Sequence, residues 1–203
     1  MQTKETTGIH IEGHLKIFDP ESKEIYVNKR NAIHYENMSI ALAQSLSNST
    51  EGGFIYGMAF GNGGTAIDPT GIITYLTPNS SGTNASLYNQ TYSKVVNPVS
   101  STNSDPTRNF TEIRHTTGNN YTDVFVSCLL DYGEPANQTA FDTTNSTNSV
   151  YTFDELGLVS FSNSGNSMLL THVIFHPVLK SLNRLIQIDY TVRIQSLTGL
   201  VGV

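Results

Sequence analysis

Short segments in which apolar and polar residues alternate one by one recur along this chain of 203 residues. The clearest segment lies near the C-terminus, where the apolar residues of one side are Ile186, Ile188, Tyr190, Val192 and Ile194. Because successive side chains of a strand point to opposite faces, this pattern predicts a half-buried β-strand. A similar segment at 9–18, followed by a proline-containing turn, predicts a hairpin over residues 9–27.

The remaining apolar segments complete the predicted sheet. Further strands are predicted at 54–60, 72–76, 110–116, 121–131, 150–161, 168–176 and 184–195. Only residues 33–47 change to a helical period, which predicts one short helix at about 36–47. Pro177 is expected to limit the strand that precedes it and to mark an edge or a bend, because proline cannot donate a ladder hydrogen bond. Since the strands do not alternate with helices, the chain is predicted to be mainly β: an antiparallel β-sandwich or jelly-roll-like barrel with one short helix and long polar loops.

A chain of this length fits one domain, so residues 1–203 are predicted to form a single β domain. Runs of Asn, Ser, Thr and Gly give it two polar excursions, at about 77–109 and 133–149. A loop as long as the first is unusual inside a compact domain and tends to be functional. Its apolar and aromatic residues are candidate assembly contacts: Leu87, Tyr88, Tyr92, Val95 and Val96. The pairs Leu87-Tyr88 and Val95-Val96 are expected to anchor the loop against either a sheet or a neighbouring subunit.

Composition excludes several classes of partner. The net charge of −6 disfavours a nucleic-acid partner, because phosphate binding needs a basic surface. The N-terminus is polar and no apolar run approaches the roughly 18 residues of a membrane span, so neither a signal peptide nor a membrane partner is predicted. The single Cys128 cannot form an intrachain disulfide and is predicted to be a small core residue.

Two histidine pairs raise the question of a metal site. His10 and His14, like His172 and His176, are four residues apart. On a strand this spacing separates the side chains by roughly 13 Å, at about 3.3 Å per residue. A zinc ion needs ligand nitrogens about 2 Å away, so neither pair alone can form a site. Combinations across strands remain open, but no metal and no cofactor are predicted.

Catalytic patterns are equally weak. The glycine-rich stretch at 61–64 lacks the Gly-Lys-Ser/Thr ending of a phosphate-binding loop and is predicted to be a structural turn. Asp154 and Glu155 are adjacent, and on an extended strand their side chains point to opposite faces, so they are not expected to serve one substrate. Cys128 has no obvious histidine nearby, and no Gly-x-Ser-x-Gly pattern occurs. No catalytic residue is predicted, and the chain is not expected to be an enzyme.

One set of segments carries a further signal, and it comprises residues 12–17, 31–34, 58–64, 151–158, 169–173, 183–184 and 190–194. Together these segments resemble virion structural proteins of tailed bacteriophages. These segments lie toward both ends of the chain and are similar to small β-rich head, neck or tail proteins. The resemblance implies assembly in symmetric copies on a particle made in the bacterial cytoplasm, and it implies no catalytic residues.

Two functional hypotheses from different classes follow. The first is a non-enzymatic virion component, either a capsid decoration protein or a neck or tail accessory protein, which forms a homo-oligomer and binds copies of itself and other virion proteins. The second is a carbohydrate- or receptor-binding module of a phage tail, to which Tyr- and Asn-rich loops are suited. A shallow aromatic cleft with convergent amides and carboxylates would favour the second. An enzyme would instead need buried carboxylates or histidines that converge in a pocket.

Overall fold

The computed structural model describes residues 8–82, 85–135 and 150–197. Within them the chain forms one helix, α1 (Tyr35–Leu46), and otherwise strands and loops. The strands are β1 (Gly8–Phe18), β2 (Ile25–Ile33), β3 (Ile55–Gly61), β4 (Thr65–Ile67), β5 (Ile73–Tyr75), β6 (Gln90–Val95), β7 (Phe110–Arg114), β8 (Tyr121–Leu130), β9 (Val150–Ser160), β10 (Thr171–Ser181) and β11 (Ile186–Leu197). The predicted mainly-β class with one short helix is confirmed.

Nine of these strands form one antiparallel sheet that curls on itself. Their order is β6-β3-β9-β10-β2-β1-β11-β8-β7, and β4 with β5 forms a separate two-stranded hairpin. The junction between β10 and β2 is short, because only Thr171 pairs with Ile33 and His172 with Ala32. On either side of this junction the sheet has two halves, β6-β3-β9-β10 and β2-β1-β11-β8-β7. Lys94 of β6 donates a 2.7 Å hydrogen bond to the carbonyl of Leu129 on β8, which ties the halves together again.

The main core lies between the two halves. One half contributes Met58, Phe60, Tyr151, Phe153, Leu156, Leu158, Val173, Phe175 and Val178, and the other contributes Leu15, Ile17, Val126, Cys128, Leu130, Ile186, Ile188, Tyr190 and Val192. The alternation predicted for β11 is confirmed, since Ile186, Ile188 and Tyr190 are fully buried. Cys128 is a buried core residue as predicted, and burial raises the pKa of its thiol to about 12.

Helix α1 begins and ends where local chemistry favours it. His34 is the N-cap residue, and its Nδ1 accepts a hydrogen bond from the backbone N–H of Asn37 at 3.2 Å. Met38 and Ala41 are buried against the sheet. After the helix the chain turns through Asn48, whose φ is positive, so the helix cannot continue.

The polar excursion predicted at 77–109 is part of the fold rather than one open loop. It contains β6, which pairs with β3 along Gly57–Gly61, and neither β6 nor β4 was predicted as a strand. Short polar strands at a sheet edge carry little alternation, which is why the sequence did not indicate them. Of the second excursion, residues 136–149 lie outside the described residues.

Pro177 does not end its strand as predicted, but it does mark an irregularity of the strand, in agreement with the predicted edge or bend. β10 continues to Ser181, and its pairing with β9 shifts register between Ile174 and Val178, so proline lies in a bulge of the strand. The part of β10 beyond His172 has no pairing with β2. Proline is therefore accommodated on a stretch that pairs regularly on neither side.

Candidate functional site

The same bulge reverses the alternation of the facing strand, β9. Tyr151 and Phe153 face the core, and the next core residues are Leu156 and Leu158. The positions that face the core therefore change from odd to even residue numbers between Phe153 and Leu156. The two residues in between both turn to the outer side of the sheet, where their carboxylates meet the same glycine-rich turn. The expectation that Asp154 and Glu155 point to opposite faces is therefore wrong, because it assumed regular alternation through this position.

Glu155 is fully buried and accepts four hydrogen bonds. Its Oε1 accepts from the backbone N–H groups of Gly63 at 3.1 Å and Asn89 at 2.8 Å. Its Oε2 accepts from the N–H of Tyr88 at 3.0 Å and from Nε2 of His172 at 2.9 Å. Burial raises the pKa of Glu155, but the hydrogen bonds from His172 and the three backbone groups outweigh it and hold the pKa below its ordinary value.

Asp154 binds the next residues of the same turn. Its Oδ1 accepts from the N–H of Gly64 at 2.9 Å, and its Oδ2 accepts from the N–H of Thr65 at 2.9 Å and from the Thr65 hydroxyl. A Cβ atom at Gly63 would lie 2.8 Å from the backbone nitrogen of Asn89, so glycine is needed where this turn meets the segment at 88–89. The stretch at 61–64 is thus a structural turn that two carboxylates hold.

His172 joins this arrangement from β10. Its Nε2 donates to Glu155, and its Nδ1 accepts a 2.8 Å hydrogen bond from the N–H of Asn79. These two partners place the ring proton on Nε2. The ring is fully buried and lies beside the ring of Tyr88, with centroids 5.6 Å apart. Asp154, Glu155 and His172 are called the Asp–Glu–His cluster below.

The Asp–Glu–His cluster fixes backbone rather than presenting open functional groups. A carboxylate paired with an imidazole is also the arrangement of a general acid–base pair. Here Glu155 and His172 are both fully buried, and the hydrogen-bonding atoms of both are engaged by backbone N–H groups or by each other. Their partners belong to three separate segments, the turn at 63–65, Asn79 and residues 88–89. The cluster therefore anchors the β4–β5 hairpin and the chain that follows it onto the sheet.

The hairpin held in this way exposes apolar side chains. Ile67, Ile72 and Tyr75 have exposed fractions of 67%, 61% and 54%. The only charge between its strands is Asp68, whose Oδ1 accepts hydrogen bonds from the N–H and hydroxyl of Thr70 and from the N–H of Ile72. A two-stranded hairpin that is uncovered is marginally stable by itself. Its apolar surface is therefore a candidate contact surface.

The five predicted contact residues occupy different environments. Leu87 is buried in a small cluster with Ala59 and Leu169, and Val96 is buried in the main core. Tyr92 and Val95 are half-buried, and the ring of Tyr92 packs against Phe60. Tyr88 is exposed and its hydroxyl donates to the carbonyl of Thr77. Leu87 and Val96 are thus anchors within the chain, Tyr88 is placed to reach a neighbour, and a contact role for the five stays a prediction.

The predicted histidine pairs lie on strands as expected. His10 and His14 are exposed on β1, whereas His172 is buried and His176 is exposed. His176 lies 3.4 Å from the hydroxyl of Tyr75, at the base of the hairpin. Among the described residues, no group of three or more His, Cys, Asp or Glu side chains is placed to hold a metal ion.

A polar cleft of about 690 Å³ lies near the end of α1. Phe161 lines it and stacks on Phe54, with ring centroids 5.0 Å apart. Glu51 accepts from the hydroxyls of Ser162 and Ser164 at 3.0 and 3.1 Å, and the Ser162 hydroxyl lowers the pKa of Glu51. The amide groups of Gln44 and Asn166 also line the cleft, and within the described chain the buried Gln44 oxygen has no hydrogen-bond donor.

The described chain thus defines a class: a curled antiparallel β-sandwich with a buried Asp–Glu–His cluster that anchors an exposed apolar hairpin. No protein-family model, curated protein or solved structure matches the chain. In the part that the structure describes, no helix is both long enough and apolar enough to cross a membrane.

Proposed function

We propose that this protein is a non-enzymatic structural component of a tailed-phage virion, a capsid decoration protein or a neck or tail accessory protein that assembles in multiple copies. The observation that carries the proposal is the hairpin, whose apolar side chains are exposed while its base is fixed by buried carboxylates. A fixed element with an uncovered apolar surface suits permanent contact with a neighbouring subunit. The resemblance of the sequence to phage virion proteins supplies the kind of particle.

The paired state of the Asp–Glu–His cluster supports a non-enzymatic role. Each carboxylate and the imidazole are engaged in fixing backbone, so substrate would have to displace contacts on which the local fold depends. Many copies on a repetitive lattice give large avidity even where each contact is weak. The partners under this proposal are copies of the chain itself and other virion proteins, and the location is the virion, assembled in the bacterial cytoplasm.

The copy number in the particle tests the proposal. Particles from the culture that produces the chain are purified, and the chain is counted against the major capsid protein by quantitative mass spectrometry. We expect a fixed ratio that survives a high-salt wash. A chain that is absent from the particles, or that washes off without a fixed ratio, contradicts the proposal.

The second candidate function is a carbohydrate- or receptor-binding module, and the polar cleft favours it. Sugars bind through apolar stacking on aromatic rings together with hydrogen bonds to amides and carboxylates, and Phe161, Glu51 and Asn166 supply these groups. Calorimetric titration with oligosaccharides of bacterial surfaces tests it. Binding that Asn166→Ala weakens supports this function, whereas the absence of binding across such a panel contradicts it. Tyr35→Ala, at an exposed position that does not line the cleft, is the matched control.

A further inference from the structure

One edge of the nine-stranded sheet is open. β7 is its last strand, and among the described strands it pairs only with β8. The pairing keeps one register along Phe110–Arg114, and the strand contains neither proline nor lysine. Natural sheets usually protect an edge with such residues, with a bulge or with covering chain. The opposite edge, β6, has a lysine, Lys94, and a register shift in its pairing with β3. β7 is therefore the edge at which a further strand can pair.

The outward backbone groups of β7 belong to Thr111 and Ile113. The N–H of Leu129 on β8 points towards β7, because it donates to Oδ1 of Asn109 at 2.9 Å. Backbone groups alternate in direction along a strand, so the odd-numbered residues of β8 bond with the even-numbered residues of β7, with which they are in register. The N–H and C=O groups of Thr111 and Ile113 therefore point away from the sheet, and no other strand of the described chain pairs with them.

The side chains of β7 form an apolar side and a charged side. Ile113 lies on the inner face, where it lines an apolar groove of about 500 Å³ together with Val99 of a neighbouring loop. Ile113 is 77% exposed and Val99 is 90% exposed. On the outer face Glu112 and Arg114 form an ion pair, and each is about half exposed. The guanidinium of Arg114 also stacks on Phe125, 3.4 Å from the ring centroid, which fixes its position.

We infer that β7 of one copy pairs antiparallel with β7 of a second copy of this chain, about a two-fold axis at Ile113. In this register Ile113 meets its own copy, and Glu112 of each chain lies opposite Arg114 of the other. The outward N–H and C=O groups of the two edges then bond to each other, so the two sheets become continuous. This inference deepens the assembly role proposed above and rests on it for its biological meaning.

Charge complementarity selects this register over its neighbours. Apolar side chains must stay on the inner face, so the register can change only in steps of two residues. A step in one direction places the two Glu112 side chains opposite each other, and a step in the other direction does the same for the two Arg114 side chains. Like charges directly opposite destabilise a strand pair, whereas opposite charges stabilise it. The two charges thus disfavour arbitrary partners of the edge and favour a second copy in one register.

The β4–β5 hairpin fits this edge less well than a second β7. Its strands, Thr65–Ile67 and Ile73–Tyr75, contain no charged residue to lie opposite Glu112 or Arg114. A contact about a two-fold axis uses the same strand of both copies, so it is complete in a dimer. The hairpin of each copy then stays available for other virion proteins.

Exchange of the two charges tests the pairing, with light scattering of the purified chain over a concentration series. We expect the unchanged chain to dimerise. Glu112→Arg alone or Arg114→Glu alone should weaken dimerisation about tenfold or more, because like charges then lie opposite each other. An equal mixture of these two variants should form a heterodimer, and the double variant should dimerise by itself. Lys23→Glu, which reverses an exposed charge away from the edge, should leave dimerisation unchanged.

Disulfide formation tests the register. Ile113→Cys places two thiols at the two-fold axis, where opposite Cα atoms are about 5.5 Å apart, so mild oxidation should give a linked dimer. Thr111→Cys, on the same face, is the matched control, because its two copies lie roughly 13 Å apart along the strands at about 3.3 Å per residue. The native Cys128 is fully buried, so the unchanged chain gives the background.

Three results would overturn the inference. They are a monomer at every concentration, a dimer that neither charge variant weakens, and equal disulfide formation by Thr111→Cys and Ile113→Cys. The second result would place the contact elsewhere, for example between two hairpins. All substituted positions are at least partly exposed, and thermal melting verifies that each variant is folded. Because the contact joins two copies, a change at Glu112 acts on association and leaves the unfolding of a dilute, monomeric chain unaffected.

The same measurements separate this contact from the proposed function. A monomer that is still present at a fixed ratio in particles leaves the virion function in place and removes the contact. A dimer with the expected charge dependence that is absent from particles leaves the contact in place and removes the virion function.

Discussion

His172 and Glu155 form a fully buried hydrogen-bonded pair across two strands, with Nε2 of the imidazole 2.9 Å from the carboxylate Oε2. The pair lies beside the junction of the two halves of the sheet, because His172 also pairs with Ala32 of β2. It holds the N–H groups of Asn79, Tyr88 and Asn89 from a segment that the sequence alone presents as a polar loop. These two side chains therefore help to attach the part of that segment that precedes β6.

Replacing the carboxylate tests this dependence. Glu155→Gln keeps the size of the side chain, but its NH₂ group faces donors and leaves buried N–H groups without an acceptor. We expect the free energy of unfolding to fall by about 1–3 kcal/mol, measured by chemical denaturation at pH 7. Glu112→Gln, at a largely exposed position, should change it by less than about 0.5 kcal/mol. Equal effects of the two substitutions would contradict the anchoring role.

The same carboxylate predicts a dependence of stability on pH. The pKa of Glu155 is lowered on folding, so its contribution is fully present above its unfolded pKa of about 4.5 and is lost as the pH falls through the lower folded value. We expect the difference in unfolding free energy between the native chain and Glu155→Gln to be constant from pH 7 to about pH 5 and to shrink below about pH 4.5. Denaturation curves of both proteins at each pH give this difference. A difference that stays constant down to pH 3 would show that the carboxylate is not the titrating group.

The charged form of Lys180 is expected to lower the unfolding free energy, whereas Glu155 raises it. Its side chain is almost completely buried, and this burial lowers the pKa of its ammonium group to about 8. Below that pH the folded protein holds a charged group in its interior, which is costly. Lys180→Met should therefore raise the unfolding free energy at pH 7 by about 1–3 kcal/mol.

The gain from Lys180→Met should disappear at alkaline pH. Between the folded value of about 8 and the ordinary value of 10.5, the unfolded chain binds the proton that the folded chain has lost, so the native protein becomes more stable as the pH rises. Denaturation of both proteins at pH 7 and pH 10 measures the change. Lys23→Met, at an exposed position, controls for loss of a positive charge. A gain that is the same at both pH values would contradict the assignment.

Two isoleucines of β1 show that alternation along a strand does not by itself determine which residues are buried. Ile9 and Ile17 fall on the same side of the strand, yet Ile17 is fully buried and Ile9 is 69% exposed. Ile17→Asp should cost several kcal/mol, roughly 3–5, because it buries an unpaired carboxylate. Ile9→Asp should cost less than about 0.5 kcal/mol. Thermal and chemical denaturation of both variants distinguishes the two sites, and equal losses would mean that the sandwich covers Ile9 as well.

Most of the secondary structure could be predicted from the sequence because it depends on local periodicity. Period-two alternation at 186–195 placed a strand and its buried face, and the helical period at 36–47 matched α1 within one residue. The burial of Cys128 could be predicted from the apolar residues around it. The short strands β4 and β6 could not be predicted, because their residues are polar or exposed and do not alternate.

The candidate site was predicted only in part. The sequence predicts Leu87 and Tyr88 as contacts of the long segment. It does not indicate Glu155 as a partner of that segment, because regular alternation turns Glu155 away from Asp154. One feature of the sequence does indicate the site: the apolar positions change from odd residue numbers, Tyr151 and Phe153, to even ones, Leu156 and Leu158. Such a change marks a bulge, at which two successive side chains turn to one face.

What the sequence determined by itself is therefore which segments extend and which side of each is apolar, since alternation acts between neighbouring residues. The tertiary structure alone decided how far the opposite half of the sandwich covers each strand, which left Ile9 exposed and Ile17 buried. It also decided that Glu155 meets residues 63, 88 and 89, since these hydrogen bonds join positions 66 to 92 residues apart. Contacts at that separation depend on the path of the whole chain, and no local pattern encodes them.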